Sequence, residues 1–412
     1  MMADIMTNAL GLGLVRQPTT VLFGPGQRRQ LGRLARRMGN TVLIVTDERM
    51  ASTQIFAELK ADLEDQGLRV SAFTNALPEL PRSNVTEVVA RFSDPAPDLI
   101  VGLGGGSCMD LAKACSAVLR YGGDVRDYFG EFAVPGPTVP TIAVPTTGGT
   151  GAEVTNLAIV FDEEKQMKMA IADTHIVPNV AIIDPELTVT CPPSLTAATA
   201  ADALSHLVEG YTARPKNPSA DQLASEVYVG KNRITDVFCE EGLRLMNRSL
   251  ARVVEAPEDL SARSDVMFAA YCAGMVINTT GTAAAHAIQS PMAAIDHTPH
   301  GFGVGALLPY VMRANQPYAR EEFARMAEIL GVSSKGATDD TNGMAAIERI
   351  EELLGAVGAP LELASLGVRE EHFDQIAKSA VSARRLVLNN PADLTEDLVK
   401  EVLKKGVAGD RS

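Results

Sequence analysis

The sequence predicts an α/β domain with a doubly wound parallel sheet, followed by an all-helical domain. Short runs of β-branched and aliphatic residues alternate with helical patterns up to about residue 190. That alternation is typical of a parallel sheet covered by helices on both faces. Beyond residue 190 no β-rich run is found, and helical periods dominate. We therefore predict one domain over residues 1–190 and a second over residues 191–412.

The predicted elements follow from these patterns in order. Strands are expected at Val42–Thr46, Asp98–Leu103, Thr141–Val144 and Val180–Ile183. Helices between them are expected at Gln54–Asp65 and Val85–Phe92. In the second domain, helical periods cover Leu195–Tyr211, Ala220–Asn247, Pro257–Ala285, Glu321–Leu330, Gly343–Leu354 and Glu370–Ser379. The weakly polar stretch Phe268–Ile288 contains asparagine, threonines and a histidine, so we expect a buried helix there and no membrane span.

The composition excludes several classes of function. Of 412 residues, 46% are hydrophobic and 21% are charged, and the formal net charge is −14. An acidic surface repels phosphate backbones and anionic lipids, so we expect no nucleic-acid partner and no membrane. No basic segment leads into an apolar stretch at the N-terminus, so no secretory signal is predicted. The five cysteines form no C-x-x-C pair, which favours reduced thiols in a cytoplasmic protein.

A glycine-rich turn, Gly104-Gly105-Gly106-Ser107, directly follows the second predicted strand. Glycines let a backbone approach a pyrophosphate closely, and the next helix offers unpaired N–H groups and the positive end of its dipole. We expect Ser107 to be the N-cap of that helix, with Asp110 at the position of a capping-box acid. The turn indicates a Rossmann-like dinucleotide site, although its spacing is not G-x-G-x-x-G. The alternative is a capped turn that binds nothing.

A second turn and one acidic residue point to the same edge of the predicted sheet. Thr146, Thr147 and Thr150 follow the third strand, where hydroxyls and free amides could hold ribose or phosphate oxygens. Asp47 ends the first strand, where a carboxylate could accept hydrogen bonds from a ribose. An ordinary loop and a helix cap are the respective alternatives. Since α/β sheets bind ligands at the carboxyl ends of their strands, the two turns support each other.

Four polar residues of the second domain suggest a metal site. Asp202 and His206 are spaced i, i+4 and face the same side of one helix. His286 and His300 would be roughly 21 Å apart in an unbroken helix, but two prolines intervene, so the chain is expected to turn and bring both rings together. One carboxylate and three imidazoles suit iron(II), zinc or another divalent metal. Taken singly, each histidine is more often a hydrogen-bonded structural residue than a metal ligand.

Together these motifs resemble the successive signatures of the iron-containing (group III) alcohol dehydrogenases, collinear from about residue 17 to about residue 390. The resemblance implies a dehydroquinate synthase-like architecture, with the active site in a cleft between a dinucleotide-binding domain and a helical domain. It implies that the metal ligands are Asp202, His206, His286 and His300. It places the pyrophosphate on Gly104–Ser107. The rest of the dinucleotide is implied near Asp47, Asp110, Thr146, Thr147, Thr150 and Lys168.

One position departs from the family pattern. Many members carry a further histidine four residues after the third ligand, and Ser290 occupies that position here. A serine can pass a proton along a hydrogen-bonded chain but cannot hold it near neutral pH. Ser290 and the nearby His297, which could take over the role of base, are therefore the two candidates for moving the alcohol proton.

The resemblance implies a metal-dependent, NAD(H)-linked alcohol dehydrogenase or aldehyde reductase. Hydride would pass between a small alcohol or hydroxy acid and nicotinamide, with the substrate oxygen bound to Fe²⁺, Zn²⁺ or another divalent metal. NAD is favoured over NADP because a carboxylate at Asp47 would repel a 2′-phosphate. A homodimer or a larger homo-oligomer is expected.

Four alternatives stay open at this point. The stretch 228–236 is similar to a segment of the hydroxyacid–oxoacid transhydrogenases, although the match is short. Maleylacetate reductases tend to lack the metal-binding set, which is intact here. Dehydroquinate synthase is a metal- and NAD-using lyase on a related architecture, and it should show more basic residues around a phosphorylated substrate. A non-catalytic binding protein would not need both the phosphate turns and the ligand set.

Overall fold

The computed structural model, which describes residues 12–296 and 298–411, divides the chain into two units. The N-terminal unit contains Arg16–Cys191 together with Ala220–Val227. The helical unit contains Pro192–Ser219 and the chain from Tyr228 onward. The segment 220–227 therefore packs with the N-terminal unit, although it lies far beyond that unit in sequence.

The N-terminal unit is built on a six-stranded parallel sheet with the order β1-β9-β6-β4-β2-β3. Three further strands, in the order β5-β8-β7, form a separate sheet in which β7 and β8 are antiparallel. The strands are β1 Thr20–Phe23, β2 Thr41–Val45, β3 Arg69–Phe73, β4 Leu99–Gly104, β5 Gly130–Glu131, β6 Thr141–Pro145, β7 Leu157–Asp162, β8 Met167–Ala172 and β9 Val180–Ile183.

Helices α1 to α5 and α7 belong to the N-terminal unit, and the other helices belong to the helical unit. Their bounds are α1 Leu31–Ala35, α2 Glu48–Ala51, α3 Gln54–Asp65, α4 Arg82–Phe92, α5 Gly106–Tyr121, α6 Pro193–Thr212, α7 Ala220–Ser225, α8 Arg233–Glu255, α9 Leu260–Ile277, α10 Ala284–Asp296, α11 His300–Asn315, α12 Arg320–Leu330, α13 Asp339–Ala356, α14 Phe373–Ser382, α15 Arg384–Asn389 and α16 Glu396–Ala408. Short 3-10 turns lie at Gln27–Gln30, Val125–Tyr128, Thr174–Ile176, Pro185–Thr188, Gln316–Tyr318, Leu363–Leu366 and Glu370–His372.

Strand β2 shows how the parallel sheet is buried on both faces. Leu43 and Val45 belong to the hydrophobic cluster that includes residues of α4 and α5. Val42 and Ile44 belong to a different cluster, which includes residues of α1 and α3. Because successive side chains of a strand point to opposite faces, a continuous aliphatic run fills two cores at once. This arrangement confirms the predicted doubly wound sheet.

The strand order places a switch point between β2 and β4. After β2 the chain moves outward to β3, and it then returns to the other side of β2 to form β4. The crevice at the carboxyl ends of two such strands is where open α/β sheets bind ligands. Thr46 and Asp47 follow β2 and the glycine turn follows β4, so the predicted cofactor residues lie at this point.

The helical unit is organised around α6. Most side chains of this helix are buried, and it packs against α8, α9 and α11. Gly301, the second residue of α11, lies so close to α6 that a Cβ atom there would overlap the carbonyl oxygen of Ala198. The same Cβ atom would lie 2.9 Å from the Cβ of Asp202. The start of α11 is therefore in backbone contact with α6.

Several predicted helices of this unit have different bounds. The predicted helix Ala220–Asn247 is two helices, α7 and α8, because Asn232 caps a new helix by accepting hydrogen bonds from the amides of Ile234 and Thr235. The predicted helix Pro257–Ala285 ends at Ile277, and a loop precedes α10. Of the helices in the described residues, only α9 is long and apolar enough to span a membrane, and 67% of it is buried within the protein.

Candidate active site

Helix α6 supplies two polar side chains to the core of the helical unit. Asp202 is 4% exposed and His206 is 5% exposed, and they lie one turn apart on the same face. The helix begins with Pro193, and its first half is rich in alanine. Small neighbours leave room for the carboxylate and the imidazole inside the core.

The other two histidines come from consecutive helices. His286 is the third residue of α10, and His300 is the first residue of α11, directly after Pro299. As predicted, the chain turns between them, and their ring centroids lie 5.5 Å apart. The rings of His206 and His286 are stacked, with centroids 4.8 Å apart.

All four predicted metal ligands meet at one carboxylate oxygen. The Oδ1 atom of Asp202 lies 3.6 Å from the Nε2 atom of each of the three histidines. The ligand atoms of Asp202, His206 and His286 all lie within 4.8 Å of one another. A carboxylate and three imidazole nitrogens at these spacings can converge on one divalent ion.

The hydrogen bonding of the cluster also fits a metal. The Oδ1 atom of Asp202 and the Nε2 atom of His286 are buried and have no hydrogen-bond partner among the described residues. Buried polar atoms are nearly always paired, so two unpaired atoms that face each other need an explanation. A divalent cation between them would satisfy both, and the donor set therefore suits a metal of the iron(II) or zinc type.

The charge states of these side chains are set by burial and by each other. Burial lowers the pKa of His206 to about 4, so its imidazole is neutral near pH 7. Burial also acts to lower the pKa of His286, but the carboxylates of Glu209 and Asp202 outweigh it and raise that pKa to about 9. Burial acts to raise the pKa of Asp202, but the three imidazoles hold that pKa well below its usual range. The proton on His286 must leave before this histidine can bind a metal ion.

The glycine turn of the N-terminal unit lies close against the second turn. Gly104 has a φ of 149°, which favours glycine, and a Cβ atom on Gly106 would lie 2.9 Å from the Cγ2 atom of Thr150. Ser107 is not the N-cap that we predicted. Helix α5 begins two residues earlier than predicted, at Gly106 with Gly105 as its N-cap, so its first amides have no side-chain cap.

The second turn lies directly beside the first. The amide of Thr146 donates to the carbonyl oxygen of Gly104 at 2.9 Å, and a Cβ atom on Gly105 would lie 3.7 Å from the Oγ1 atom of Thr147. The buried hydroxyls of Thr46 and Thr146 have no hydrogen-bond partner among the residues described. Free hydroxyls, uncapped amides and bare glycine backbone together fit the phosphates and ribose of a dinucleotide.

Asp47 has a local role as well as a position at the turn. It is the N-cap of α2, and its Oδ1 atom accepts a hydrogen bond from the amide of Met50 at 2.8 Å. Its Oδ2 atom lies 3.7 Å from the Sγ atom of Cys108 and 3.6 Å from the Cβ position of Gly104. The capping alternative is therefore confirmed, and the second carboxylate oxygen still borders the glycine turn.

Asp110 and Lys168 are connected to the smaller sheet. Asp110 accepts a hydrogen bond from the amide of Ile159 on β7 at 3.0 Å, and it lies 3.5 Å from the buried ammonium of Lys113. Lys168 on β8 pairs with the carboxylate of Glu79 at 3.1 Å. Asp110 therefore does not act as a capping-box acid.

Comparison with known families decides which family the chain belongs to. The family model described as iron-containing alcohol dehydrogenase matches residues 18–185. The model of the C-terminal part of the Fe-containing alcohol dehydrogenase family matches residues 196–407. The chain belongs to the iron-containing alcohol dehydrogenase family. It is an oxidoreductase that acts on CH–OH groups, and membership implies a metal and NAD(H) as cofactors.

Individual relatives of this iron-containing alcohol dehydrogenase support the assignment. The chain is 33% identical over 391 residues to the NAD-dependent methanol dehydrogenase of Bacillus methanolicus, covering 95% of this chain and 98% of the relative. It is 31% identical over 385 residues to the lactaldehyde reductase of Escherichia coli, covering 92% of this chain and 96% of the relative. A solved structure of a 1,3-propanediol oxidoreductase superposes with a TM-score of 0.89 and 29% identity, covering 96% of this chain and 100% of that chain. The predicted fold class is confirmed.

The two candidates for proton transfer in this dehydrogenase have different outcomes. Ser290 lies on α10, one turn after His286, and is exposed. His297 lies outside the described residues.

Two polar residues of the dehydrogenase were not predicted from the sequence. Glu209 accepts a hydrogen bond from the Nδ1 atom of His286 at 2.6 Å, and Gln289 contacts the Nδ1 atom of His300 through Oε1 at 2.8 Å. Glu209 lies three residues after His206, and Gln289 lies three residues after His286. Both share a helix face with a ligand, and that spacing was the available signal.

Proposed function

We propose that this enzyme is a metal-dependent, NAD(H)-linked alcohol dehydrogenase that reversibly oxidises a small primary alcohol or hydroxy acid. The observation that carries the proposal is the distance of 3.6 Å from the Oδ1 atom of Asp202 to each of three imidazole nitrogens. The unpaired state of that oxygen inside the core supports the same conclusion.

In this proposal, Asp202, His206, His286 and His300 hold the metal. A divalent ion bound there supplies Lewis-acid polarisation of the substrate oxygen. Asp202 contributes the single negative charge of the ligand set, so the bound ion keeps a net positive charge. Glu209 orients His286 through its Nδ1 atom, which leaves the Nε2 atom of that ring free to bind.

The cofactor would bind with its pyrophosphate on the glycine turn. A bound nicotinamide supplies the hydride chemistry. The first amides of α5 are available to phosphate oxygens because no side chain caps that helix. The Oδ2 atom of Asp47 would accept a hydrogen bond from a ribose hydroxyl and would repel a 2′-phosphate, which favours NAD over NADP. Roles in holding the dinucleotide are proposed for Thr146, Thr147, Thr150, Asp110 and Lys168 on the strength of the family pattern.

The alcohol proton is proposed to leave through Ser290 and solvent. The hydroxyl of Ser290 is exposed and can both accept and donate a proton, so it can link the substrate to water. It has no pKa near neutrality, so it relays the proton without storing it. His297 would replace this route if it acted as the base.

A combined assay of metal content and turnover tests the proposal. The purified protein should be stripped with a chelator, reloaded with Fe²⁺ or Zn²⁺, and assayed by NADH absorbance against primary alcohols, hydroxy acids and aldehydes. We expect turnover only in the loaded protein. His286→Ala and His300→Ala should lose both metal and turnover, whereas His175→Ala, at an exposed histidine of the N-terminal unit, should keep both. Full activity of a metal-free preparation would contradict the proposal.

The same panel of substrates distinguishes a dehydrogenase from a hydroxyacid–oxoacid transhydrogenase. A transhydrogenase would exchange hydride between a hydroxy acid and an oxo acid without net accumulation of NADH. The five cysteines are all buried and form no disulfide within the described residues, which supports the proposed cytoplasmic location. The expected homo-oligomer stays a prediction.

A further inference from the structure

The Nδ1 atoms of His286 and His300 contact different side chains, whereas the Nδ1 atom of His206 is buried and has no hydrogen-bond partner among the described residues. The Nδ1 atom of His286 faces the Glu209 carboxylate, which also accepts hydrogen bonds from the amides of Ala283 and Ala285. The Nδ1 atom of His300 faces the neutral side-chain amide of Gln289. The side chain of His286 is 9% exposed, whereas that of His300 is 37% exposed. A charged acceptor therefore holds the buried ring of His286, and a neutral acceptor holds the more exposed ring of His300.

The contact with Gln289 fixes the tautomer of His300. An imidazole that offers its Nε2 lone pair to the cluster must carry its proton on Nδ1. That Nδ1–H group donates to the Oε1 atom of Gln289 at 2.8 Å, and the Nε2 atom then faces Asp202 at 3.6 Å. A carboxylate in place of the amide would accept the same hydrogen bond more strongly and make the ring a better ligand.

The side chain of Gln289 is buried, and the polar contact of its amide is the one with His300. Its side chain is 1% exposed, and its Nε2 atom has no hydrogen-bond partner among the described residues. A Cβ atom on Gly303 would lie 3.1 Å from both its Cγ and its Nε2 atoms, so α11 leaves just enough space for this side chain. The hydrogen bond from His300 is the polar contact that holds the oxygen of this buried amide.

We propose that Gln289 is a positioning residue that fixes His300 for metal binding, and that its neutral amide makes His300 a weaker and more exchangeable ligand than His286. This inference rests on the proposed metal site. It predicts that a substitution of residue 289 changes the affinity of the site for metal, although the four ligands stay the same.

Zinc affinity of the full-length protein, measured by competition with a chromogenic chelator, tests the inference without any need for turnover. Gln289→Ala should weaken Zn²⁺ binding by about 10- to 100-fold, and Gln289→Glu should strengthen it by about tenfold, because a carboxylate is the stronger acceptor. Gln316→Ala removes another buried glutamine of the helical unit, which bonds to Asp340, and should leave Zn²⁺ affinity unchanged.

Nitrogen NMR of the imidazoles gives a second measurement, because it reports which ring nitrogen carries the proton. In Gln289→Ala the acceptor for the Nδ1–H group of His300 is lost, so this ring should no longer be held in the Nδ1–H tautomer. Equal Zn²⁺ affinities for wild type, Gln289→Ala and Gln289→Glu would overturn the inference, and so would weaker binding by Gln289→Glu. If Gln289→Ala does not fold, Gln289→Glu, which has nearly the same shape as wild type, decides the question alone. A wild-type protein that binds no Zn²⁺ would instead contradict the proposed function.

Discussion

Replacement of Glu209 by alanine should strongly destabilise the helical unit. Glu209 is 3% exposed, and its carboxylate accepts hydrogen bonds from the amides of Ala283 at 2.9 Å and Ala285 at 2.6 Å, and from the Nδ1 atom of His286 at 2.6 Å. In the alanine variant both amides lose their acceptor inside the protein. Each unsatisfied buried donor costs about 1–3 kcal/mol, so the free energy of unfolding should fall by about 2–6 kcal/mol. Total stabilities are typically about 5–15 kcal/mol.

Urea unfolding of the metal-free protein, followed by helical circular dichroism, measures this loss. Glu209→Gln keeps one carbonyl acceptor and should lose less stability than Glu209→Ala. Glu352→Gln is the control, because Glu352 pairs with Arg349 at the surface with its side chain 66% exposed. Such a pair contributes less than about 1 kcal/mol. A loss below about 1 kcal/mol for Glu209→Ala would refute the reasoning, because the two amides would then have found other acceptors.

Three further predictions concern cofactor, proton and metal. Asp47→Asn keeps a capping side chain but removes the charge, so the NADPH/NADH affinity ratio, measured by fluorescence titration, should rise by roughly tenfold or more. A wild type that already prefers NADPH would show that Asp47 has no such role. Oxidation by the wild type should speed up toward alkaline pH without an inflection near about 6.5, and Ser290→His should introduce one. If His297→Ala removes an inflection that the wild type shows, His297 is the base. Saturating Zn²⁺ should raise the melting temperature of wild type but not of His300→Ala, since a ligand stabilises the state that binds it; an equal rise in both would exclude His300 as a ligand.

The sequence predicts the large parallel sheet well because its strands carry strong local signals. The run at 42–45 is aliphatic at every position, and the strand was predicted within one residue of its observed bounds at each end. The smaller sheet was missed for the opposite reason. Strand β8 reads Met-Lys-Met-Ala-Ile-Ala, and lysine and alanine do not favour strands. Its pairing with β7 and β5 makes this segment a strand.

The candidate site was predictable in part for a similar reason. The spacing of Asp202 and His206 is a local pattern on one helix, and Pro299, directly before α11, indicated the turn that brings His286 and His300 together. Pro291, the other proline expected to break the helix, lies inside α10. The contacts of Glu209 and Gln289 join residues 77 and 11 positions apart, respectively, and depend on how helices pack. The N-cap of α5 was misassigned because serine is the better capping residue by preference, yet the helix starts at Gly106.

The close approach of Gly301 to α6 has a consequence for any attempt to transplant this site. Gly301 has no side chain to bind a metal, but it allows α11 to lie close to α6. A Cβ atom on Gly301 would collide with the carbonyl group of Ala198 and would crowd Asp202, so this glycine permits the short separation of His300 and Asp202. Grafting the four ligands onto another helical scaffold would therefore reproduce the chemistry of the site without its spacing. A designer would have to copy the glycine at the crossing of α6 and α11 together with the ligands, because the absence of a side chain there permits the close spacing of the two helices.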